Sequence, residues 1–240
     1  MSGGNKSYFT NGEKLLWGVS AAAIVASFLL FDRASWLTLI ASLTGVTSLI
    51  YSAKGHPLGQ VLMVLFSLMY GVISWLARYY GEMITYLGMT MPMAVFALIA
   101  WLRHPFGDNR QEVAVNRISR GEGLLCCLLT AAVTAAFYFI LKAFHTSHLS
   151  LSTLSVTTSF LAVYLTYRRS PLFAAAYAAN DVVLILLWCL AAAQDRSCIS
   201  VVVCFAAFLA NDLYGFISWR RMAQRQAAAQ ADCVVWPKRS

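Results

Sequence analysis

Two apolar segments near the C-terminal end each carry an Asn-Asp pair followed, at one fixed spacing, by a tryptophan. Because seven residues turn an α-helix through about 700°, each aspartate lies on the same face as its tryptophan. A cavity with Asn and Asp as hydrogen-bond partners and tryptophan as a stacking surface suits a ligand that is flat at one end and rich in hydroxyl groups at the other. A cationic ring would suit it better still, since a tryptophan face attracts a desolvated cation by about 2 kcal/mol. The two motifs are Asn180-Asp181 with Trp188 and Asn211-Asp212 with Trp219.

Composition indicates the solvent in which these motifs lie. The chain of 240 residues is 60% hydrophobic and 12% charged, with a mean hydropathy of +0.66. A soluble domain of this composition would expose too much apolar surface, so we predict a polytopic membrane protein. An ionisable side chain in hydrocarbon costs about 2.5 to 3.5 kcal/mol, which makes an intramembrane carboxyl group a candidate functional group. Only Asp181 and Asp212 fall well inside apolar segments.

Eight apolar runs have roughly the 17 to 25 residues that a membrane-spanning helix needs. The first run either spans the membrane or lies obliquely at its surface, and we favour spanning. Short connections predict that consecutive helices are antiparallel neighbours. The runs cover residues 15–31, 36–51, 57–77, 83–102, 123–144, 149–167, 171–193 and 198–219.

The distribution of Lys and Arg predicts the orientation. If the eight spans alternate, 14 of the 18 basic residues fall on the side that holds both termini and the polar segment 103–121. Basic residues collect on the cytoplasmic side of membrane proteins, so that side is predicted to be cytoplasmic. The net charge of +8 is then explained by topology, and it gives no reason to expect a nucleic-acid partner.

An internal repeat relates the two halves of the chain. Residues 57–75 and 171–188 both open on Pro-Leu and end on Trp, and the following spans end on Trp101 and Trp219. The offset of about 114 to 118 residues covers four spans, so both copies point the same way, as in the sugar-transporting SWEET proteins. A second sequence similarity, between residues 70–75 and 214–219, has an offset that covers five spans, and we interpret it as convergence on the same helix packing.

The predicted fold is therefore an all-α integral membrane bundle of two parallel three-helix repeats joined by a linker helix, with an extra N-terminal helix. Its parts are a tail at 1–14, the extra helix at 15–33, a first repeat at 35–103, a linker and linker helix at 104–144, a second repeat at 148–221 and a C-terminal tail at 222–240.

Other residue types leave open alternatives or exclude chemistry. The cysteines and histidines show no metal-ligand spacing, and we find no phosphate loop or nucleophile motif, so no cofactor, metal site or enzyme activity is expected. Hydroxyl groups crowd the sixth span, where Ser152, Ser155 and Ser159 share one stripe; they either join helices or line a polar cavity. Tryptophans near span ends are typical of the interfacial belt, an alternative that also holds for Trp188 and Trp219. Trp17, Trp36 and Trp101 are interpreted as belt residues.

Residues 79–92, 157–188 and 208–219 resemble the PnuC family of bacterial nicotinamide riboside transporters. The resemblance covers nearly the whole chain, except for the extra N-terminal helix. It implies the three-plus-one-plus-three arrangement, facilitated diffusion of nicotinamide riboside through the bacterial inner membrane, and trapping by a cytosolic kinase that phosphorylates the nucleoside. It also implies a homotrimer in the lipid bilayer, with one pathway per protomer.

The ligand implied by the resemblance fits the cavity that the residues predict. Nicotinamide riboside joins a flat pyridinium cation with a carboxamide to a hydroxylated ribose. Asp181 and Asp212 either balance the positive ring or tie neighbouring helices together. The expected substrate-binding residues are Trp188, Tyr214 and Trp75, which stack on the ring, Asn180, Asn211 and Thr158, which bond the carboxamide or ribose, and Tyr70, Asp181 and Asp212.

Two further function classes stay open. An ion- or proton-coupled transporter of another vitamin or nucleoside would use Asp181 and Asp212 as proton carriers, although no Lys, Arg or His lies mid-span to complete a relay. A SWEET-like sugar transporter would use the same fold for an uncharged ligand. A membrane-embedded enzyme would need a nucleophile with its base, or a metal triad, within the spans, and none is evident.

Overall fold

The computed structural model describes residues 8–107, 109–146 and 148–235. Eight helical segments in these residues are long and apolar enough to cross a membrane, which confirms the predicted number, including a first span that is 21 residues long. The helices are α1 (Asn11–Phe31), α2 (Trp36–Ala53), α3 (Leu58–Leu76), α4 (Tyr80–Thr85), α5 (Met91–Arg103), α6 (Arg120–Ala143), α7 (Leu149–Tyr167), α8 (Phe173–Ala192) and α9 (Ile199–Val235). One π-helical turn, Tyr86–Thr90, joins α4 to α5, a 3-10 turn, Arg196–Cys198, precedes α9, and β1 (Pro105–Phe106) pairs with β2 (Asn109–Val113) in an antiparallel hairpin.

Six elements pack in a closed ring in the order α2, α3, α5, α7, α8, α9 and back to α2. The first helix of each predicted repeat thus contacts the third helix of the other. Glycine at Gly45 lets α2 approach α9 closely, because a side chain there would collide with the ring of Phe208. Helix α1 lies outside the ring against α2 and α9, and α6 lies outside it against α7. These contacts fit the predicted repeats, which remain an interpretation.

Two tryptophans join the halves of the ring at the end that carries the hairpin. Trp101 of α5 donates its indole N–H to the carbonyl of Thr166 in α7 (3.0 Å), and Trp219 of α9 donates to the carbonyl of Ser52 in α2 (2.7 Å). Their ring centroids are 5.4 Å apart, and each side chain is at most 1% exposed. The belt interpretation is therefore wrong for both Trp101 and Trp219, because a belt residue must reach the membrane surface.

The fourth span is interrupted by its π-helical turn. Pro92 at the start of α5 has no N–H to donate to the preceding turn, and a missing donor of this kind lets the helix widen locally. The span begins at Tyr80 rather than at residue 83, so it includes Glu82, whose side chain is buried. Asp181 and Asp212 are the acidic residues well inside the spans, as expected, but Glu82 and Glu13 of α1 are also buried, near the beginning of their spans.

The predicted tails are partly helical. Helix α1 begins at Asn11 because Thr10 and Glu13 form a capping box. Helix α9 continues from the membrane segment to Val235 through a stretch rich in Ala and Gln, which are strong helix formers. The extension is held to the hairpin by Gln226, whose amide donates to Glu112 (2.7 Å) and to the carbonyl of Val113 (3.0 Å).

Candidate functional site

A cavity of about 480 Å³ opens at the end of the bundle opposite the hairpin. We call it the vestibule. Two aspartates on loops, Asp32 and Asp195, lie in its wall, and Trp188 of α8 forms part of its lining. The backbone N–H of Ser197 donates to Asp195 (2.9 Å) and holds the pKa of that carboxyl below its usual value. The vestibule therefore presents negative charge at the entrance to the bundle.

Beneath the vestibule lies a group of aromatic side chains that we call the outer aromatic layer, formed by Tyr70, Tyr79, Tyr86, Trp188 and Phe205. Trp188 is 2% exposed and donates its indole N–H to the hydroxyl of Tyr70 (2.7 Å). Tyr79 meets the Trp188 ring edge-on at 5.0 Å, and the Tyr70 and Tyr86 rings are 4.3 Å apart. Trp188 is thus a buried residue, and the belt alternative is wrong for it as well.

Below this layer, α7 and α8 share a set of polar contacts. The side-chain oxygen of Asn180 accepts hydrogen bonds from Thr158 (2.8 Å) and Ser159 (3.0 Å). On another face of α7, Thr157 bonds Thr134 of α6 (2.9 Å). The hydroxyl groups of the sixth span therefore join helices on two faces, since Thr157 bonds α6 and Thr158 bonds α8, and their role in lining a cavity stays a prediction.

Three carboxyl groups are buried in the same region. Asp181 of α8 and Asp212 of α9 lie close enough to interact with each other, and each is at most 4% exposed. Glu82 of α4 is 2% exposed and accepts a hydrogen bond from Ser155 (3.2 Å). One oxygen of Glu82 and one of Asp181 have no hydrogen-bond partner in the structure. Together with Asn180 and its partners, these groups form what we call the polar chamber.

The far end of the polar chamber is closed by a second group of rings, the inner aromatic layer. Phe173 meets the Trp219 ring edge-on at 4.9 Å, and Trp219 in turn packs against Trp101. In the described part of the chain, the polar chamber thus has aromatic side chains on both sides along the axis of the bundle. Such an arrangement can enclose a ligand and exclude bulk water from it.

Three of the predicted site residues lie elsewhere. Asn211 donates its amide to Ser20 of α1 (2.9 Å), and Tyr214 donates its hydroxyl to Glu13 of α1 (2.8 Å). Trp75 is 58% exposed on the outside of α3. The other six, which the structure brings to the polar chamber or the outer aromatic layer, are Tyr70, Thr158, Asn180, Asp181, Trp188 and Asp212.

Sequence reasoning missed Tyr79, Glu82 and Tyr86. Their spacing of three and four residues places them on one face of a helix, which was the available signal. Hydropathy alone places the start of that span just after Glu82, so this spacing did not predict a helical face.

The comparison with known proteins covers most of the chain. The family model for nicotinamide mononucleotide transporters matches residues 35–221. The nicotinamide riboside transporter PnuC of Neisseria mucosa is 22% identical to the chain, and the match covers 88% of the chain and 82% of that relative. The transporter of the same name from Haemophilus influenzae is also 22% identical, and the match covers 80% of the chain and 82% of that relative. A crystal structure of the vitamin B3 transporter PnuC superposes with a TM-score of 0.79 at 22% identity, covering 91% of this chain and 94% of that one. The ring of helices is thus a fold that a solved transporter shares.

Proposed function

The chain belongs to the nicotinamide mononucleotide transporter family, and from this premise we propose that it is a membrane transporter for the uptake of nicotinamide riboside. Its eight apolar helices make it a multi-pass membrane protein. The relatives named as nicotinamide riboside transporters support the choice of ligand. A transporter binds and releases its ligand unchanged, and we assign no catalytic residue to this chain.

The observation that carries the proposal is the polar chamber beneath Trp188. A pyridinium ring can stack on the faces of Trp188 and its aromatic neighbours, where a cation is attracted to the ring electrons. Asn180 and Thr158 supply an amide and a hydroxyl for the carboxamide or the ribose. Calorimetry of detergent-purified protein with nicotinamide riboside, thiamine and sucrose tests the assignment. Binding of sucrose alone would contradict it and favour a sugar transporter.

The charge of the polar chamber favours the riboside over its phosphorylated form. The six ring helices contain no Lys or His. Their arginines are Arg103, the last residue of α5, and those of α9 from Arg220 onward, which follow the membrane segment. A phosphate group in the polar chamber would face three carboxyl groups and no positive partner. Burying an unpaired charge is costly, so the phosphate would oppose binding.

We expect nicotinamide mononucleotide to bind at least about 100-fold more weakly than nicotinamide riboside, a difference of about 3 kcal/mol. Competition between the two ligands in calorimetry measures the ratio. Equal affinities would mean that an arginine from one end of the bundle reaches the bound phosphate. Rejection of the phosphate would also make trapping by a cytosolic kinase effective, because the phosphorylated product could not return by the same path.

We further propose that transport is facilitated diffusion, with the two aromatic layers opening in turn. The three buried carboxyl groups favour a second candidate, a proton- or sodium-coupled transporter in which they carry the ion. Uptake into proteoliposomes should keep the same initial rate, within about twofold, when a proton or sodium gradient is imposed or collapsed. A several-fold stimulation by either gradient would favour the coupled mechanism instead.

We place both termini and the hairpin in the bacterial cytoplasm, on the side of the inner membrane that collects the basic residues. A reporter fused beyond α9 should read cytoplasmic, and a periplasmic signal would reverse the orientation. The assembly as a homotrimer and the parallel three-helix repeats belong to the same proposal. Cross-linking of the purified protein in lipid nanodiscs measures the assembly, and a species larger or smaller than a trimer would contradict it.

A further inference from the structure

Glu82 lies in the polar chamber, and only one of its two carboxyl oxygens has a hydrogen-bond partner. One oxygen accepts the hydrogen bond from Ser155 (3.2 Å), and the other has no hydrogen-bond partner although the side chain is 2% exposed. Buried polar atoms in folded proteins are almost always paired, so an unpaired carboxyl oxygen points to a partner outside the protein chain. The helical segment that carries Glu82 leads into the π-helical turn Tyr86–Thr90, and turns of this kind are frequent at functional sites.

The surroundings of Glu82 are those of a site for a flat ring. Tyr79 and Tyr86, on the same helical face, both belong to the outer aromatic layer, and Tyr79 contacts the Trp188 ring. The carboxyl group of Glu82 also interacts electrostatically with Tyr70 and Tyr86. Glu82 therefore lies beside the outer aromatic layer, on which a flat ring can stack.

The other two carboxyl groups of the polar chamber are less suited to a cationic ring. Asp181 and Asp212 lie beside each other and interact, whereas none of the interactions found for Glu82 is with another carboxyl group. The Asn180-Asp181 pair also lies two helical turns from Trp188 on α8, whereas Glu82 is one turn from Tyr79. Glu82 therefore interacts with two tyrosines of the outer aromatic layer, Tyr70 and Tyr86, whereas Asp181 interacts with Tyr86 alone.

We propose that Glu82 recognises the positive charge of the ligand, with its free oxygen facing the pyridinium ring that stacks beside Trp188. The proposal rests on the proposed function, since it assigns a residue to the charge of that ligand. It gives the site a way to distinguish the cationic ring from an uncharged ring of the same shape. Trp188 would then recognise the flat face of the pyridinium ring, and Glu82 would recognise its positive charge.

Calorimetry of the purified wild-type protein and of Glu82→Gln tests the proposal with two probes. The probes are nicotinamide riboside and its reduced form, whose dihydropyridine ring is uncharged and otherwise nearly the same shape. In Glu82→Gln, the affinity for the cation should fall by about tenfold or more, because a charge-assisted contact is lost. The affinity for the reduced form should change by less than about threefold.

A second variant, Glu82→Met, carries the same test if Glu82→Gln does not fold, because an unbranched apolar side chain is well tolerated in buried helices. The matched control is Glu13→Gln, which removes another buried carboxyl group, one bonded to Tyr214 and Lys54 outside the polar chamber. It should lower the melting temperature without changing the ratio of the two affinities.

The outcomes separate the two claims. Equal loss of both probes in Glu82→Gln would overturn the role of Glu82 in charge recognition and leave the proposed function intact. A wild-type protein that binds neither probe would overturn the proposed function together with the role of Glu82. A control variant that alters the ratio as strongly as Glu82→Gln would also overturn the assignment, since any buried carboxyl group would then suffice.

Discussion

Asn180→Leu should weaken the binding of nicotinamide riboside by about 5- to 150-fold while the protein still folds and purifies. Asn180 accepts hydrogen bonds from Thr158 and Ser159, and the substitution removes the amide that we assign to the ligand. An unpaired polar group costs about 1 to 3 kcal/mol, which corresponds to a loss of about 5- to 150-fold in affinity. Thr158 and Ser159 also lose their acceptor in this variant, so the melting temperature should fall as well, and the change in affinity is what identifies a ligand contact. Calorimetry and thermal melting of the same preparation give both numbers.

The second Asn-Asp motif supplies a matched control. Asn211→Leu makes the same chemical change one helix away, where the amide bonds Ser20 of α1. We expect this variant to keep its affinity within about threefold and to melt at a lower temperature, because a buried hydrogen bond between α1 and α9 is lost. If the effects were reversed, with Asn211→Leu losing the ligand and Asn180→Leu only losing stability, the assignment of the polar chamber would be wrong.

The different positions of these two asparagines could not be read from the sequence. Both motifs have the same spacing from their tryptophans, and each span alone suggests the same role. Neighbouring residues on a helix point about 100° apart, so Asn211 faces α1 while Asp212 faces Asp181. Which neighbour each face meets depends on the packing of α1, a helix that lies outside the family match.

The spans were predictable because a membrane imposes its thickness on the sequence. Length and hydropathy gave all eight segments, and their alternation gave the two ends of the bundle. The same reasoning could not place Glu82, since a carboxyl group lowers the hydropathy of the window that contains it. It also could not show that Trp101 and Trp219 are buried, because a tryptophan near a span end has the same sequence signature in a packed contact and in the interfacial belt.

The pairing of those two tryptophans adds to the argument for a repeat. The indole donors Trp101 and Trp219 are 118 residues apart, and their acceptors Ser52 and Thr166 are 114 residues apart. These are the offsets at which the two halves of the sequence align. In each contact, a tryptophan of one half bonds a carbonyl of the other half. A two-fold relation between parallel repeats would produce such a reciprocal pair of contacts.

Trp188→Ala should weaken binding of nicotinamide riboside by about 30-fold, which corresponds to the roughly 2 kcal/mol of a desolvated cation on a tryptophan face. The change also opens the outer aromatic layer, because Trp188 lies between the vestibule and Tyr70. Dissociation should therefore become faster, which stopped-flow measurements with the purified protein can detect. Trp188→Phe separates the two effects, since it keeps an aromatic face but loses the indole N–H that bonds Tyr70.

We expect Trp188→Phe to retain affinity within about fivefold and to show the faster dissociation, because phenylalanine still attracts a cation, though less strongly than tryptophan. Tyr70→Phe removes the same hydrogen bond from the other side and should speed dissociation to a similar degree while leaving Trp188 in place. If Trp188→Phe bound as weakly as Trp188→Ala and Tyr70→Phe changed nothing, the aromatic face would not be the part of Trp188 that holds the ligand. A role for the indole N–H in bonding the ligand directly would then replace it.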